Sequence, residues 1–432
     1  MRLLLIAALA VCVALAGRAA AQPPPPPQPG LAPQAIRLFL DCPEGCDTTF
    51  LRSELTFLDH VNDREVADVH VLITELHTGS GGTEYTIALV GLKRFSGMQE
   101  SLKYVSQPGD TDDDERRGIL RVIKIGLVRY AAQTPLESRI QVDYRAPGEE
   151  DLEAIGQTMT DRWNFWVLRV RGDVDTEGEE STTSTNLDGS FSATRVTARW
   201  KSSVSLSLEY RRSRYSFEPE EGEEPEEDYI SISRESSVGG LLVKSLGDHW
   251  GAGARVSMSS STYTNHKRLF RVMPAIEYNV FPYAESTRRQ LTFRYSVGAY
   301  RASYREITLY GRMAESLANH EFAVNWDMKQ PWGTLDVQVE ASQYLPDTHK
   351  NRLSIEADAE VRLFKGFSLD VGVNTSLIRD QVYLRAGRAT PEEILLRQRQ
   401  IATSYDYGFS VGFSYSFGSV FNNVVNSRLS NF

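Results

Sequence analysis

The stretch that decides the fold is Tyr407-Gly408-Phe409-Ser410-Val411-Gly412-Phe413-Ser414-Tyr415-Ser416-Phe417. Its odd-numbered positions are aromatic or apolar, and its even-numbered positions are glycine or serine. Because successive side chains of a strand point to opposite faces, this strand has one apolar face and one polar face. Segments with the same alternation precede it from about residue 163 onward. Repetition of this pattern predicts an antiparallel transmembrane β-barrel of about 12 strands at 163–419, so the fold class is mainly β.

The barrel prediction rests on where the alternating segments begin and on how they are connected. Their starts are near Trp163, Thr183, Val204, Tyr229, Gly251, Leu269, Gln290, Leu309, Gly333, Arg352, Phe367 and Ala402. Each segment approaches or exceeds the ~9–11 residues that a tilted strand needs to cross a bilayer. Short connections at 201–203, 247–249, 331–332 and 365–366 alternate with longer polar ones at 176–182, 218–228 and 385–400. The alternative is a soluble β-sandwich, whose outer face would carry charges rather than aromatic residues.

The final strand also carries a second pattern, made of Gly412, Tyr415 and Phe417. A glycine followed by two spaced aromatic residues resembles the insertion signal of outer-membrane barrels. The resemblance implies that the barrel-assembly machinery is a partner during insertion, recognising the strand edge by β-augmentation. Residues 420–432 follow the signal, which usually ends the protein, and are interpreted as a periplasmic tail.

The N-terminus has the features of an export signal. Arg2 is followed by an apolar run, Leu3–Leu15, and by Ala19-Ala20-Ala21, which predicts a signal peptide at 1–21. Residues 22–34 are rich in proline and predict a stiff tether. The expected location is therefore the outer membrane. An even number of strands leaves both the N-terminal domain and the C-terminus in the periplasm.

Two cysteines remain after cleavage at residue 21, Cys42 and Cys46. An oxidising compartment favours a disulfide between them over two free thiols. A metal site would need further ligands, and none lies close in the sequence. The sequence thus predicts a disulfide and no metal.

Residues 35–134 have the pattern of a small α/β domain. The expected order is a strand at 36–40, a helix at 49–61, a hairpin of 69–76 with 85–92, and a helix from 111 to about 132. A further short strand is expected at 102–105. Residues 135–162 form a connector, with a strand expected at 139–144 and a helix at 149–160.

This order of elements, together with Asp68-Val69-His70-Val71-Leu72-Ile73-Thr74, resembles the N-terminal α/β domain of the periplasmic protein TolB and its relatives. The resemblance implies a docking or assembly module with a periplasmic protein partner. The alternative is an ordinary α/β domain that covers the mouth of the barrel.

The polar phase of the predicted strands carries charges of both signs, which are expected to face the lumen. They are Arg169, Arg171, Arg255, Arg294, Glu340, Glu356, Asp358, Glu360, Arg362 and Asp370. Because an unpaired buried charge is costly, these groups are expected to pair across the barrel and narrow it. Neutralising Arg169, Arg171 and Arg362 is expected to release Glu356, Asp358 and Glu360.

The sequence offers no signature of catalysis or of a cofactor. The net charge is −10 and there is no basic stripe, so nucleic acid is not an expected partner. None of the seven histidines has a serine at a convincing catalytic spacing. The expected function is a non-enzymatic envelope protein that contacts outer-membrane lipid and lipopolysaccharide, anchors a periplasmic module and forms at most a narrow pore. The alternative is a membrane-embedded hydrolase.

Overall fold

The structure is a computed structural model of the 432-residue chain. It describes residues 35–42, 46–78, 82–107, 109–142, 163–216, 229–364, 366–390, 393–394, 396 and 398–419. The predicted signal peptide, the tether, the helix expected at 149–160 and the C-terminal tail lie outside these ranges. Neither helix described below has the length and apolarity needed to cross a membrane.

The N-terminal part is an α/β domain with a five-stranded sheet. Its elements are β1 (Arg37–Asp41), α1 (Thr48–Glu54), β2 (Asp59–His60), β3 (Val69–His77), β4 (Thr83–Gly91), β5 (Gln99–Val105) and α2 (Asp112–Ala131). The sheet order is β2-β1-β3-β4-β5, and β1 runs parallel to both of its neighbours. A capping box between Thr111 and Asp114 starts α2, since each residue satisfies a free backbone N–H of the other.

Both helices pack on one face of this sheet, where the apolar core lies. Leu38, Ile87 and Leu89 of the strands are fully buried, as is Ile123 of α2. Burial of each such side chain contributes about 1.5–3 kcal/mol. The buried Tyr130 hydroxyl donates to the Leu89 carbonyl at 2.9 Å and so fixes α2 against β4.

Two predictions for this part of the chain are wrong in their bounds. The helix expected at 49–61 ends at Glu54, because Leu55 and Leu58 reach the core from a turn and the chain then pairs as β2 beside β1. The strand expected at 139–144 is not formed by its described residues. Pro135–Arg139 is a 3-10 helix capped by the Thr134 side chain, and 140–142 are irregular.

The C-terminal part is a twelve-stranded antiparallel β-barrel, which confirms the predicted fold class. Its strands are β6 (Trp166–Gly178), β7 (Thr182–Val196), β8 (Trp200–Tyr215), β9 (Tyr229–Ser245), β10 (Trp250–Ser261), β11 (His266–Asn279), β12 (Arg289–Tyr304), β13 (Ala314–Gln330), β14 (Gly333–Tyr344), β15 (Asn351–Phe364), β16 (Phe367–Ile378) and β17 (Tyr405–Tyr415). Each strand pairs with its neighbours in sequence. Among the described residues the ladders run from β6 to β17 through the strands between them, and no ladder joins β6 to β17 directly.

The barrel is polar inside and apolar outside. In β12 the side chains of Thr292, Ser296 and Tyr300 are buried, whereas Phe293 and Val297 between them are 37% and 41% exposed. The same alternation holds in β15 and β16, where pairing places Ile355 opposite Thr375 and Glu356 opposite Asn374. Outward apolar and inward polar side chains are the reverse of a soluble sheet.

The two ends of the barrel differ in their connections. One end, which we call the short-turn end, has the connections 197–199, 246–249, 280–288, 331–332 and 365–366. The opposite end has the connections 179–181, 216–228, 262–265, 305–313, 345–350 and 379–404. Three predicted boundaries are wrong. Pairing continues to Gly178 and Thr183, so the connection expected at 176–182 shrinks to three residues, 179–181. Residues 201–203 belong to β8, and the strand expected from Leu309 begins at Ala314.

Candidate functional site: the junction between the α/β domain and the barrel

The second face of the five-stranded sheet lies against the short-turn end of the barrel. His70, Thr74 and Thr86 lie on this face, opposite to the helices, and all three are buried. The Thr86 hydroxyl is 3.3 Å from the hydroxyl of Thr287, in the turn between β11 and β12. At the edge of the contact, the Asn62 amide donates to the carbonyl of Ser419, just after β17. The domain therefore covers the end at which the chain both enters and leaves the barrel.

An ion pair joins the two parts near the middle of this contact. The Arg362 guanidinium of β15 donates to both carboxylate oxygens of Asp41, from Nη1 at 2.5 Å and from Nη2 at 2.7 Å. Its carbon also lies 5.6 Å from the ring centre of Phe39. A bidentate contact fixes orientation as well as distance. The pair thus sets the angle between β1 and the barrel end.

His70 extends this contact into the domain. Its ring is fully buried beside Phe39, with 5.1 Å between ring centres. Nδ1 accepts from Nε of Arg64 at 3.2 Å, and Nε2 lies 3.1 Å from Oδ2 of Asp41. Because an arginine can only donate, the proton of neutral His70 is on Nε2 and points to Asp41. We call Asp41, His70, Arg64 and Arg362 the junction cluster.

The junction cluster favours an ionised Asp41 and a neutral His70. Burial alone would raise the pKa of Asp41, but hydrogen bonds from Arg362 and His70 outweigh it and lower this pKa to about 2. Burial lowers the pKa of His70, and the nearby charges of Arg64 and Arg362 lower it further. The contact with Asp41 raises this pKa but does not outweigh the other contributions. The cluster therefore holds one carboxylate, two guanidinium groups and an uncharged imidazole at neutral pH.

The local sequence holds Asp41 in place. Asp41 ends β1 and precedes Cys42, which forms the predicted disulfide with Cys46, with 5.8 Å between their Cα atoms. Asp47 then caps α1 by accepting from the Phe50 N–H at 2.8 Å. Both cysteines pack against the apolar core. The disulfide therefore ties the end of β1 to the start of α1, directly beside the ion pair.

The register places all ten predicted lumen charges on the inward face of the barrel. Arg294 meets Glu321 at 3.1 Å and Glu340 at 4.0 Å, and Arg171 meets Asp173 at 3.9 Å. These ion pairs lie within the sheet.

The expected pairing of Arg362 with acids of the barrel is wrong. Arg362 contacts Asp41 of the α/β domain instead. In the part of the chain that the structure describes, no arginine or lysine nitrogen lies within 4.0 Å of the carboxylates of Glu356, Asp358 or Glu360. The physical reason is that Arg362 sits near the end of β15, where the docked domain brings a carboxylate that no barrel strand supplies.

Rows of carboxylates cross the inward face. Asp327, Asp336 and Asp358 are directly opposite one another on β13, β14 and β15. A second row crosses β6 to β9 and consists of Asp173, Asp188, Glu209 and Glu235. Among the described residues no group of three or more His, Cys, Asp or Glu side chains has the arrangement of a metal site. These rows give the interior a negative potential.

The connection 379–404 covers the opposite end of the barrel. The Asn265 amide donates to the carbonyl of Glu306 at 3.0 Å and of Tyr383 at 3.1 Å, which joins three connections. Arg385 pairs with Glu306 at 3.2 Å. Asn265 and Leu384 are both buried. The barrel is thus covered at this end by its own chain and at the short-turn end by the α/β domain.

A polar cavity of about 220 Å³ lies inside the barrel near this covered end. Tyr300, Asn319 and Arg352 contribute to its wall, and Arg352 binds Asp380 through Nη2 at 3.0 Å. Asp380 belongs to the connection 379–404, so this connection forms part of the cavity wall.

The remaining predicted residues lie apart from the junction. Gly412 and Tyr415 belong to β17, and Phe417 follows it with 85% exposure. Six histidine side chains lie within hydrogen-bond distance of hydroxyls, amides, carbonyls or members of the junction cluster: His60, His70, His77, His249, His266 and His320. His320, for example, bonds to Tyr295 and Gln343, whose atoms are 3.3 and 3.2 Å away.

Sequence reasoning identified Arg362 but missed its partners. Asp41, His70 and Arg64 lie in ordinary strand and loop positions of another domain, and Asp41 is 321 residues away from Arg362 in the chain. The available signal was His70, a polar residue inside the otherwise apolar run Val69–Ile73 at the start of β3. A buried histidine in a strand needs a hydrogen-bond partner, which could have pointed to an interface.

Comparison with known proteins finds similarity only among solved structures, because no family model and no curated protein matches the chain. One similar structure is the translocator domain of autotransporter NalP from Neisseria meningitidis, with 11% identity, 62% of this chain and 94% of that chain covered, and a TM-score of 0.22. Another is the β domain of the Bordetella autotransporter BrkA, with 13% identity, 58% and 98% covered, and a TM-score of 0.24.

Proposed function

We propose that this chain is a non-enzymatic outer-membrane β-barrel protein whose periplasmic α/β domain is anchored at, and closes, the short-turn end of the barrel. The contact between this domain and the barrel carries the proposal. Its bidentate Asp41–Arg362 pair and the Thr86–Thr287 contact connect two parts that are distant in the chain. A domain held this way is a plug as well as an anchored module.

The outward surface supports the membrane location. Large apolar side chains on it are exposed on strand after strand, including Val204, Val256, Phe322 and Leu363. Exposed apolar surface of this extent is unfavourable in water and favourable against lipid. Trp200, Trp250 and Trp332 lie at the short-turn end, where an aromatic girdle contacts the membrane interface.

Three partners follow as parts of this proposal. Outer-membrane lipid and lipopolysaccharide surround the barrel, and the barrel-assembly machinery engages the edge of β17 during insertion. A periplasmic protein partner is implied by the TolB resemblance and would meet the side of the α/β domain that faces away from the barrel. The helices α1 and α2 form that side.

The first experiment tests location and docking together. The protein should fractionate with the outer membrane and migrate faster in unboiled than in boiled gels. A Thr86→Cys/Thr287→Cys variant should form a disulfide between the α/β domain and the barrel, because the two hydroxyls are only 3.3 Å apart. Recovery without detergent would contradict the membrane location, and absence of the cross-link would contradict the plug.

The second experiment separates a plug from a pore and from the alternative hydrolase. In planar bilayers the unmodified protein should give small or no conductance, since both ends are covered. Large and steady conductance would make it a diffusion channel. Hydrolysis of phospholipid by the purified protein, abolished by substitution of one histidine, would support the enzyme alternative.

A further inference from the structure

The outward face of the barrel carries a groove of about 600 Å³ across β6 to β10. Its floor is formed where Gly172 and Gly189 lie opposite each other in neighbouring strands. A Cβ atom added at Gly189 would meet nothing within 4 Å, so space above this floor is open. Two paired glycines on an outward-facing surface leave a depression, because neither residue has a side chain to fill the space.

The walls of the groove are apolar. Val174, Leu187 and Tyr210 are directly opposite one another on β6, β7 and β8, and Leu208 lies beside Gly189. Val174 is 72% exposed. Such a trough fits a linear acyl chain better than it fits a folded protein surface, because its exposed lining is mostly apolar and its floor is glycine.

Two guanidinium groups line the same groove. The guanidinium of Arg234 lies over the ring of Tyr210, 5.6 Å from its centre, and Nη2 of Arg305 donates to Ser260 at 2.8 Å. Within the ranges that the structure describes, neither guanidinium has a carboxylate oxygen within 4.0 Å. Glu235, next to Arg234 in the sequence, is on the inward phase and accepts from Ser261 at 2.7 Å, and Glu306, next to Arg305, pairs with Arg385 at 3.2 Å.

The groove lies toward the end with the longer connections. Gly172 and Val174 are in the last part of β6, and Arg305 follows the end of β12. This end is opposite to the one covered by the α/β domain. It faces the outer leaflet if the domain is periplasmic, so this inference depends on the orientation given under the proposed function.

We propose that the groove binds an acylated, phosphorylated glycolipid of the outer leaflet. One acyl chain lies over the glycine floor, and a phosphate lies between Arg234 and Arg305. A phosphate placed between the two guanidinium groups would bind both through charge-assisted and often bidentate hydrogen bonds. The site recognises the phosphate by charge and the acyl chain by shape.

The test compares lipid retention by purified protein, with lipid A as the probe in its phosphorylated and dephosphorylated forms. The unmodified protein should retain the phosphorylated form at least about tenfold more strongly, which corresponds to about 1.4 kcal/mol, because the dephosphorylated form lacks the charged partner of both guanidinium groups. Arg234→Gln/Arg305→Gln should remove this preference. Lys244→Gln/Arg289→Gln, which removes two outward charges at the short-turn end, should keep it.

A second variant tests the acyl part. Gly189→Phe fills the floor of the groove without meeting protein atoms at its Cβ, and it should reduce retention of both lipid forms. All variants should keep heat-modifiable migration, which shows that the barrel is folded. Equal retention by the arginine variant and the unmodified protein would overturn the proposal. That outcome would leave the plug intact, because the plug is tested by the separate cross-link between residues 86 and 287.

Discussion

Loss of the Arg362 side chain should release the α/β domain from the barrel. In Arg362→Gln, the largely buried carboxylate of Asp41 keeps its hydrogen bond with His70 but loses both hydrogen bonds from the guanidinium group. The pKa of Asp41 is lowered from 3.8 to about 2 in the intact protein, which corresponds to about 2 kcal/mol of net stabilisation of the charged form. Removal of one partner of a buried pair costs about 3–5 kcal/mol. Since Arg362 is 31% exposed, solvent screens part of this interaction, and we expect the substitution to weaken docking by about 2–3 kcal/mol.

A loss of this size lowers the docking equilibrium roughly 30- to 150-fold. The assay is the rate of disulfide formation in the Thr86→Cys/Thr287→Cys background, with and without Arg362→Gln. The matched control is Arg94→Gln, which removes an arginine that pairs with Asp68 inside the α/β domain. Slower cross-linking with Arg362→Gln and not with Arg94→Gln is expected. Equal rates in all three proteins would refute the role of the ion pair.

Acid should also undock the domain. The pKa values of Asp41 and His70 are both lower when folded, so stability is lost as pH falls, from about 6.5 downward through His70 and from about 4 to 2 through Asp41; a lower urea midpoint for undocking at pH 5 than at pH 7.5, without such a shift when the disulfide between residues 86 and 287 is already formed, checks this. Mass spectrometry of non-reduced protein should find Cys42 and Cys46 two hydrogens lighter, and Cys46→Ser should destabilise the α/β domain by about 2 kcal/mol in urea unfolding. Asp336→Asn should stabilise the barrel by about 0.2–1 kcal/mol, because it removes like charges directly opposite each other; a lowered midpoint of unfolding would contradict this.

The barrel could be predicted from sequence because its determinants are local. In β15, Leu353 and Ile355 alternate with Ser354 and Glu356, and an alternation with period two fixes both the strand and the face. The start predicted at Leu309 failed because an apolar, strand-like stretch pairs with the connection 379–404 instead, where the Leu309 N–H donates to the Leu384 carbonyl. Which partner such a stretch finds is decided by tertiary structure.

The junction could not be predicted, since it depends on the relative placement of two domains. Arg362 was recognised as an inward charge from its phase in β15. Its pairing with Asp41 follows from the domain lying across the short-turn end, and no spacing in the sequence encodes that. The helix at 49–61 was predicted too long for a related reason, because Leu58 contributes to the core from a turn.

The strand order of the barrel has a consequence for the order of folding. Every pairing in the barrel joins strands that follow one another, so most of it can form by successive local steps. Closing β6 onto β17 joins segments that lie at opposite ends of the barrel sequence, and it carries the largest loop-closure entropy. In hydrocarbon, the unpaired N–H and C=O groups of both edges would each cost several kcal/mol, which makes closure obligatory there. Ring closure is therefore the step at which folding and membrane insertion become a single slow event, and a chain lacking β17 should stall before it.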